Sequence, residues 1–253
     1  MDDRAPQSAI APIDLDRFRL RNYLESLKGT DQLEIVEGPF ALADVAKRLS
    51  GEPKCVWFKN AAGAELVGNV VGGRERLARA FGVPAIDVAL EIERRLKVKQ
   101  QLVELPSRDA PVHQVVIKGD DIDVTQFPVH LQHALDGAPF ISASIDYSID
   151  PATGMTNVGL RRMMLRGKTE TGVDLNAPSD LRAIYMAASA RGEKLPVSFV
   201  VGSHPIDHVA ATMKEPGDEL HMVAALRGAP LPVVKCVTND IYVPADAEII
   251  IEG

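Results

Sequence analysis

The stretch Pro139–Arg166, PFISASIDYSIDPATGMTNVGLRRMMLR, decides how the rest of the chain is read. Its first arm, Phe140 to Ile149, sets Ile141, Ile145, Tyr147 and Ile149 on a period-two pattern, as a half-buried strand requires. Asp150-Pro151-Ala152-Thr153-Gly154 is turn chemistry, because Pro presets φ and Gly tolerates a positive one. The return arm presents Asn157 and, five residues on, Arg162. Side chains alternate across a strand, so this odd offset puts the two polar groups on opposite faces. If both meet one ligand, a bulge must re-aim one of them, and Gly159 is the predicted place for it. A β-hairpin with polar chemistry on its second arm is the expectation.

The flanking sequence supplies helices before the hairpin and a mixture after it. Asp14 is a plausible N-cap for a helix running through Lys28. Leu33–Val36 and Lys54–Phe58 read as strands, Ala41–Leu49 as a helix, and Asn60–Gly63 as a turn. Leu66–Arg74 continues as a strand and a glycine turn into a helix over 74–81, followed by an amphipathic helix from Ala85 to Lys97. The Gly68–Arg74 turn lacks the spacing of the nucleotide-binding glycine motifs, so a tight strand-to-helix connection is the simpler reading. Residues 1–13 read as a disordered lead and 106–111 (PSRDAP) as a linker. Beyond it, His113–Ile117 is predicted as a strand, Leu181–Arg191 as a helix with Leu181, Ile184, Tyr185 and Ala188 inward, and Pro196–Gly202 as a buried strand. Ser179 or Asp180 is the natural cap of that helix. Two apolar runs, Pro232–Asp240 and Val243–Gly253, suit the core of a barrel. The expected organisation is a small α/β domain over 14–110 and a β-rich domain over 111–253, an α+β chain.

Composition excludes some functions. A net charge of −7 with scattered Lys and Arg offers nucleic acid no basic footprint. No apolar run approaches a membrane span, and the first residues lack the basic and apolar regions of a secretion signal. Cys55 and Cys236 are far apart, which fits neither a zinc site nor a disulfide framework and makes a reducing cytoplasm the default expectation. His130 and His133 are three apart and His204 and His208 four apart, but no third ligand is near the first pair and Pro205 interrupts the second.

The motif D-P-x-T-G-x-x-N-x-G-x-x-R over 150–162, with its Gly-Ala-Pro-Phe-Ile lead-in, resembles the cofactor hairpin of UbiD-type decarboxylases, which use prenylated FMN. The opening DLDRFRLRNYLESL, the glycine turn before Arg74, P-V-V-K-C-x-T-N-D over 232–240 and V-P-A-x-A-E-I-x-x-E-G over 243–253 are similar to the same family, so the resemblance covers nearly the whole chain. It implies a split β-barrel flavin domain after a small α/β domain. It also implies that Asn157 ligates a divalent metal, Mn2+ or Mg2+, which bridges to the cofactor phosphate. Gly159, Leu160 and Arg161 would line the cofactor, and Arg162 would contact it and hold the reacting carboxylate. Glu219, thirteen residues before Pro232, matches the family's metal-binding Glu; read alone it is an ordinary first-turn helix acid. Ala211-Thr212-Met213 is similar to the segment that touches the cofactor and a monovalent cation such as K+, although the stretch from Met213 to Glu219 is short for the family.

One departure stands out. Where the family brings a Gln-His pair to the phosphate and metal, this chain has Ser179 and Asp180. Aspartate is a competent ligand for a hard cation, so Asp180 is either the third metal ligand or only part of a helix start. The two catalytic glutamates of the family lie beyond the segment that matches Gly253, so the chain is expected to be the front part of a longer protein, inactive alone, acting when whole as a homo-oligomer on an unsaturated or aromatic acid. Two rival readings remain: a non-catalytic cofactor-binding or assembly subunit of a multi-component carboxylase, and an FMN-binding flavin reductase that needs no divalent metal.

Overall fold

The computed structural model describes residues 13–214 and 216–253, so the lead predicted over 1–13 lies outside the described residues except for Ile13. The first part of the chain folds as α1 (Leu20–Leu27), β1 (Leu33–Phe40), α2 (Leu42–Leu49), β2 (Cys55–Ala61), β3 (Ala64–Gly68), α3 (Arg74–Phe81), α4 (Val88–Leu96) and β4 (Leu102–Glu104). A parallel β1–β2 pair and an antiparallel β2–β3 hairpin form one three-stranded sheet. The apolar run Cys55–Phe58 is buried on both of its faces, between α1 and α2.

After four short 3-10 turns come β5 (Phe140–Ile149), β6 (Thr156–Leu165), β7 (Thr171–Val173), α5 (Asp180–Ala190), β8 (Ser198–Val201), α6 (Pro205–Ala210), α7 (Glu219–Arg227), β9 (Leu231–Lys235), β10 (Tyr242–Pro244) and β11 (Ile249–Glu252). Five of these strands make an antiparallel sheet in the order β11-β8-β5-β6-β7, curled into a half-barrel. A second small sheet, β10-β9-β4, pairs β4 in parallel with β9 and so ties the front of the chain to its end. Ile145, Tyr147, Val158 and Val200 from the sheet bury against Ile206, Val223 and Leu226 of α6 and α7, and Phe81 and Val88 join the same core. Each such side chain contributes about 1.5–3 kcal/mol on burial. That packing, with the His204 cap on the Ile206 N–H at 3.3 Å, is what holds α6, which is far too short to be helical alone.

Several expectations need correction. The first helix begins at Leu20, because Asp14 closes a turn onto the Asp16 N–H (3.0 Å) instead of capping a helix. Residues 85–87 form a 3-10 turn before α4. His113–Ile117 is not a strand: Val115 and Ile117 are exposed (76% and 61%), and no strand pairs with the segment among the described residues. Apolar content alone cannot distinguish a strand from an unpaired surface segment. Tyr185 is exposed rather than inward, leaving Leu181, Ile184 and Ala188 as the buried stripe of α5. The predicted linker is anchored, since Ala110 is buried and the Val112 N–H donates to the Ala245 carbonyl (3.1 Å).

The glycine turn before α3 shows why that stretch is no phosphate cradle. Arg76 is buried beneath it and donates from Nη1 to Gln32 Oε1 (3.1 Å) and the Pro53 carbonyl (2.9 Å). A Cβ on Gly73 would meet that guanidinium at 2.9 Å. Here glycine makes room for an arginine of the chain itself.

Candidate cofactor site

The hairpin forms as predicted, with Gly154 in the turn at φ 71°. Its register sets Asn157 opposite Ser148, Gly159 opposite Asp146 and Arg161 opposite Ser144. Strand β6 runs without a break through Gly159, so the predicted bulge is not there. The register instead slips between Ile141 and Ser144, where Ser142 and Ala143 of β5 together face Arg162. Gly159 serves a different need, close approach: a Cβ there would lie 3.1 Å and 3.4 Å from the two carboxylate oxygens of Asp146.

Helix α7 is docked end-on to β6. Asp218 caps it through the Leu220 N–H (2.9 Å) and also accepts the Thr156 N–H (3.0 Å). Glu219, the first helical residue, is buried and accepts the Val158 N–H at 2.6 Å through Oε2. Burial pushes its carboxyl above the usual range; the Val158 N–H opposes this, and the charges of Asp180 and Asp146 add to it. Facing it, Ser179 caps α5 by accepting the Arg182 N–H (3.3 Å) and also accepts from Arg161 Nη2 (3.2 Å). Asp180 is not the cap. Its two oxygens hold Lys214 Nζ at 2.8 Å and 2.7 Å, and the lysine side chain is 75% exposed.

These elements enclose an open cavity of about 630 Å³ between β6, the start of α5, the turn after α6 and the start of α7. Asn157, Gly159, Leu160 and Arg161 form one wall, and Ser179, Asp180 and Glu219 another. Ala211, Thr212 and Met213, on the turn that ends α6, close a third side. Arg162 does not line it; its guanidinium stands 5.1 Å from the ring centroid of Phe140, as the unbroken alternation of β6 requires. Two groups were missed. Lys214 gave no sequence signal, whereas Asp146 had one: a carboxylate in the middle of an apolar strand arm. Asp146 is fully buried, its carboxyl raised by burial to about 6 although Arg161 opposes the rise.

The donor chemistry can be tested against a divalent cation. Among the described residues no three His, Cys, Asp or Glu side chains cluster, so a metal here depends on the Asn157 amide as third donor beside Asp180 and Glu219. That set is all oxygen and suits Mn2+ or Mg2+. Charge points the same way. Asp146, Asp180 and Glu219 outnumber the cations Arg161 and Lys214, and a bound phosphate would widen the deficit unless a cation entered with it. Displacing Lys214 from Asp180 is cheap, because an exposed pair is worth about 1 kcal/mol or less. The residues present fit the group.

A site of this kind, oxygen donors and an arginine at a helix N-terminus beside an antiparallel sheet, is one for a phosphate-bearing cofactor. Comparison with known proteins makes the class specific. Residues 24–96 match the 3-octaprenyl-4-hydroxybenzoate carboxy-lyase N-terminal domain and residues 103–253 the carboxy-lyase Rift-related domain of UbiD. The chain belongs to the UbiD family. It is 30% identical over 238 residues to the anhydromevalonate phosphate decarboxylase of Methanosarcina mazei, covering 92% of this chain and 54% of that protein. It superposes with a TM-score of 0.87 and 29% identity on an evolved dimeric form of the UbiD-class enzyme HmfF from Pelotomaculum thermopropionicum in complex with prFMN, covering 93% of this chain and 56% of the other. A second structure of HmfF, in complex with FMN, matches with a TM-score of 0.86 and 29% identity over 92% of this chain and 54% of the other. The chain thus spans about half the length of the relatives it matches. Among the described residues no helix is long and apolar enough to cross a membrane.

Proposed function

We propose that these 253 residues are the cofactor-binding part of a prenylated-FMN-dependent decarboxylase acting reversibly on an unsaturated or aromatic acid. The observation that carries this reading is the convergence of Asn157, Arg161, Ser179, Asp180 and Glu219 on one cavity in a chain of the UbiD family. Prenylated FMN, when bound, supplies the electron sink that loss of CO2 from an sp2 carbon demands and that no side chain can offer. Arg161 and the first N–H groups of α5 bind the phosphate end. Asn157, Asp180 and Glu219 hold the divalent cation that offsets the phosphate charge. Ala211, Thr212 and Met213 pack beside the flavin, and their segment is the proposed K+ contact. Arg162 orients the substrate carboxylate; it is an exposed donor fork that must leave Phe140 to do so. The curled five-stranded sheet is read as half of a split barrel. By itself the chain should bind cofactor and not turn over.

The test is a titration of the chain with FMN followed by flavin fluorescence, with Mn2+ or with EDTA. Tighter binding with Mn2+, lost in Asn157→Ala and Glu219→Gln, supports the reading. Binding indifferent to metal, accompanied by NADH or NADPH oxidation, would replace it with the flavin-reductase alternative.

A further inference from the structure

Asp146 has a place in the site that the metal and cofactor contacts do not explain. It lies on β5 directly across from Gly159, fully buried, and the absence of a side chain at Gly159 is what lets its carboxylate sit against the cavity wall. Oδ1 is 3.4 Å from Nε of Arg161, the side chain that leads from this buried charge to the start of α5. The rest of that guanidinium is held by neutral acceptors, Nη1 by the Leu160 carbonyl (3.1 Å) and Nη2 by Ser179 Oγ (3.2 Å). Among the described residues neither oxygen of Asp146 nor Nε of Arg161 has an aligned hydrogen-bond partner. The two are in charge contact and no more.

A buried carboxylate held this loosely is costly to the fold, and an apolar or amide residue of the same size would cost less. Folded proteins keep such groups chiefly where they serve a site. Arginine binds phosphate through a rigid planar fork, so what matters is which edge of the fork is free. With Nε turned to Asp146, the outer Nη edge faces the N-terminus of α5, where backbone N–H groups already favour an anion.

We propose that Asp146 is a positioning residue: from behind Gly159 it fixes the Nε edge of Arg161 so that the Nη edge receives the phosphate of the flavin cofactor. This rests on the flavin reading above and adds a residue that touches neither cofactor nor metal. Arg161 without Asp146 would still be cationic and held through Leu160 and Ser179, but nothing would fix its Nε edge.

Flavin fluorescence titrations in Mn2+ buffer separate the possibilities, with FMN and riboflavin as probes, since these differ only in the phosphate. Wild type should prefer FMN. Asp146→Asn should weaken FMN binding by about tenfold or more, the usual effect of losing an outer-shell partner, and leave riboflavin binding unchanged. Arg161→Ala should reduce the same ratio, and adding Asp146→Asn to it should cost nothing further. Should Asp146→Asn fail to fold, Gly159→Ala intrudes on the same carboxylate and should shift the ratio in the same direction. A FMN-to-riboflavin ratio kept at the wild-type value in the folded variant overturns the role of Asp146 and leaves the flavin reading standing. A wild type that binds both flavins equally overturns the phosphate placement and this role with it, and one that binds neither overturns the flavin reading itself.

Discussion

Replacing Asp146 by Asn should make the protein more stable at neutral pH, the reverse of what breaking an ion pair usually does. The side chain has no exposure to water, and burial lifts its carboxyl from an ordinary 3.8 to about 6 even with Arg161 alongside. Between about pH 4 and pH 6 the native state keeps a proton that the unfolded chain releases, so this group makes stability fall as pH rises through that window. A gap of about two pH units corresponds to about 3 kcal/mol lost by pH 7. The amide of Asn escapes that loss but stays short of hydrogen bonds, which costs about 1–2 kcal/mol. The net expectation is a gain of about 1–2 kcal/mol at pH 7.5, disappearing near pH 4. Urea denaturation followed by the single tryptophan, Trp57, buried in β2, would measure it at both pH values. A variant less stable than wild type by more than about 1 kcal/mol at pH 7.5, with the same deficit at pH 4, would refute the reasoning and make the pair a net stabiliser. A gain in stability joined to a loss of FMN binding is the pattern of a residue kept for function.

Three further outcomes follow from the same structure. Arg227 is fully buried and makes four hydrogen bonds of 2.6–3.0 Å to Asp207 and Asp246, so Arg227→Met should destabilise the fold by about 3–5 kcal/mol in urea, because two carboxylates are left unpaired. His204, packed edge-on to Phe18 and Tyr23, is held neutral by burial with its pKa pushed down to about 3; stability should therefore be lost as pH falls from 6.5 toward 3, a slope that His204→Phe should flatten in thermal melts. Glu219→Gln preserves an acceptor for the Val158 N–H but removes a charge, so Mn2+ retained with FMN, read by electron paramagnetic resonance, should weaken by about tenfold or more while thermal stability stays near wild type.

Much of the site was legible because its parts are local. A turn that needs Pro and Gly, a strand that must alternate and a helix that needs a cap each leave marks a few residues apart, and so the hairpin, a cap at Ser179 or Asp180 and a helix opening near Glu219 could all be expected. Even the departure at Ser179-Asp180 was visible, and the structure divides the two: Ser179 caps, while Asp180 turns to Lys214 and the cavity. The missed strand has a non-local cause. His113–Ile117 has strand composition but no neighbouring edge to pair with, and whether an edge is available is decided by chain far away in sequence.

The sequence by itself determined the family, the hairpin, the polar residues of its second arm and the acid that opens α7, because those depend on residue type and short spacing. Tertiary structure alone decided which of them share a cavity. It kept β6 regular through Gly159, put the slip in β5 opposite Arg162, and so turned Arg161 rather than Arg162 toward α5. It also set Asp146 behind a glycine thirteen residues later in the chain, where burial rather than sequence position gives the carboxylate its unusual proton affinity. Register and burial come from the packing of the whole sheet, and no local stretch encodes them.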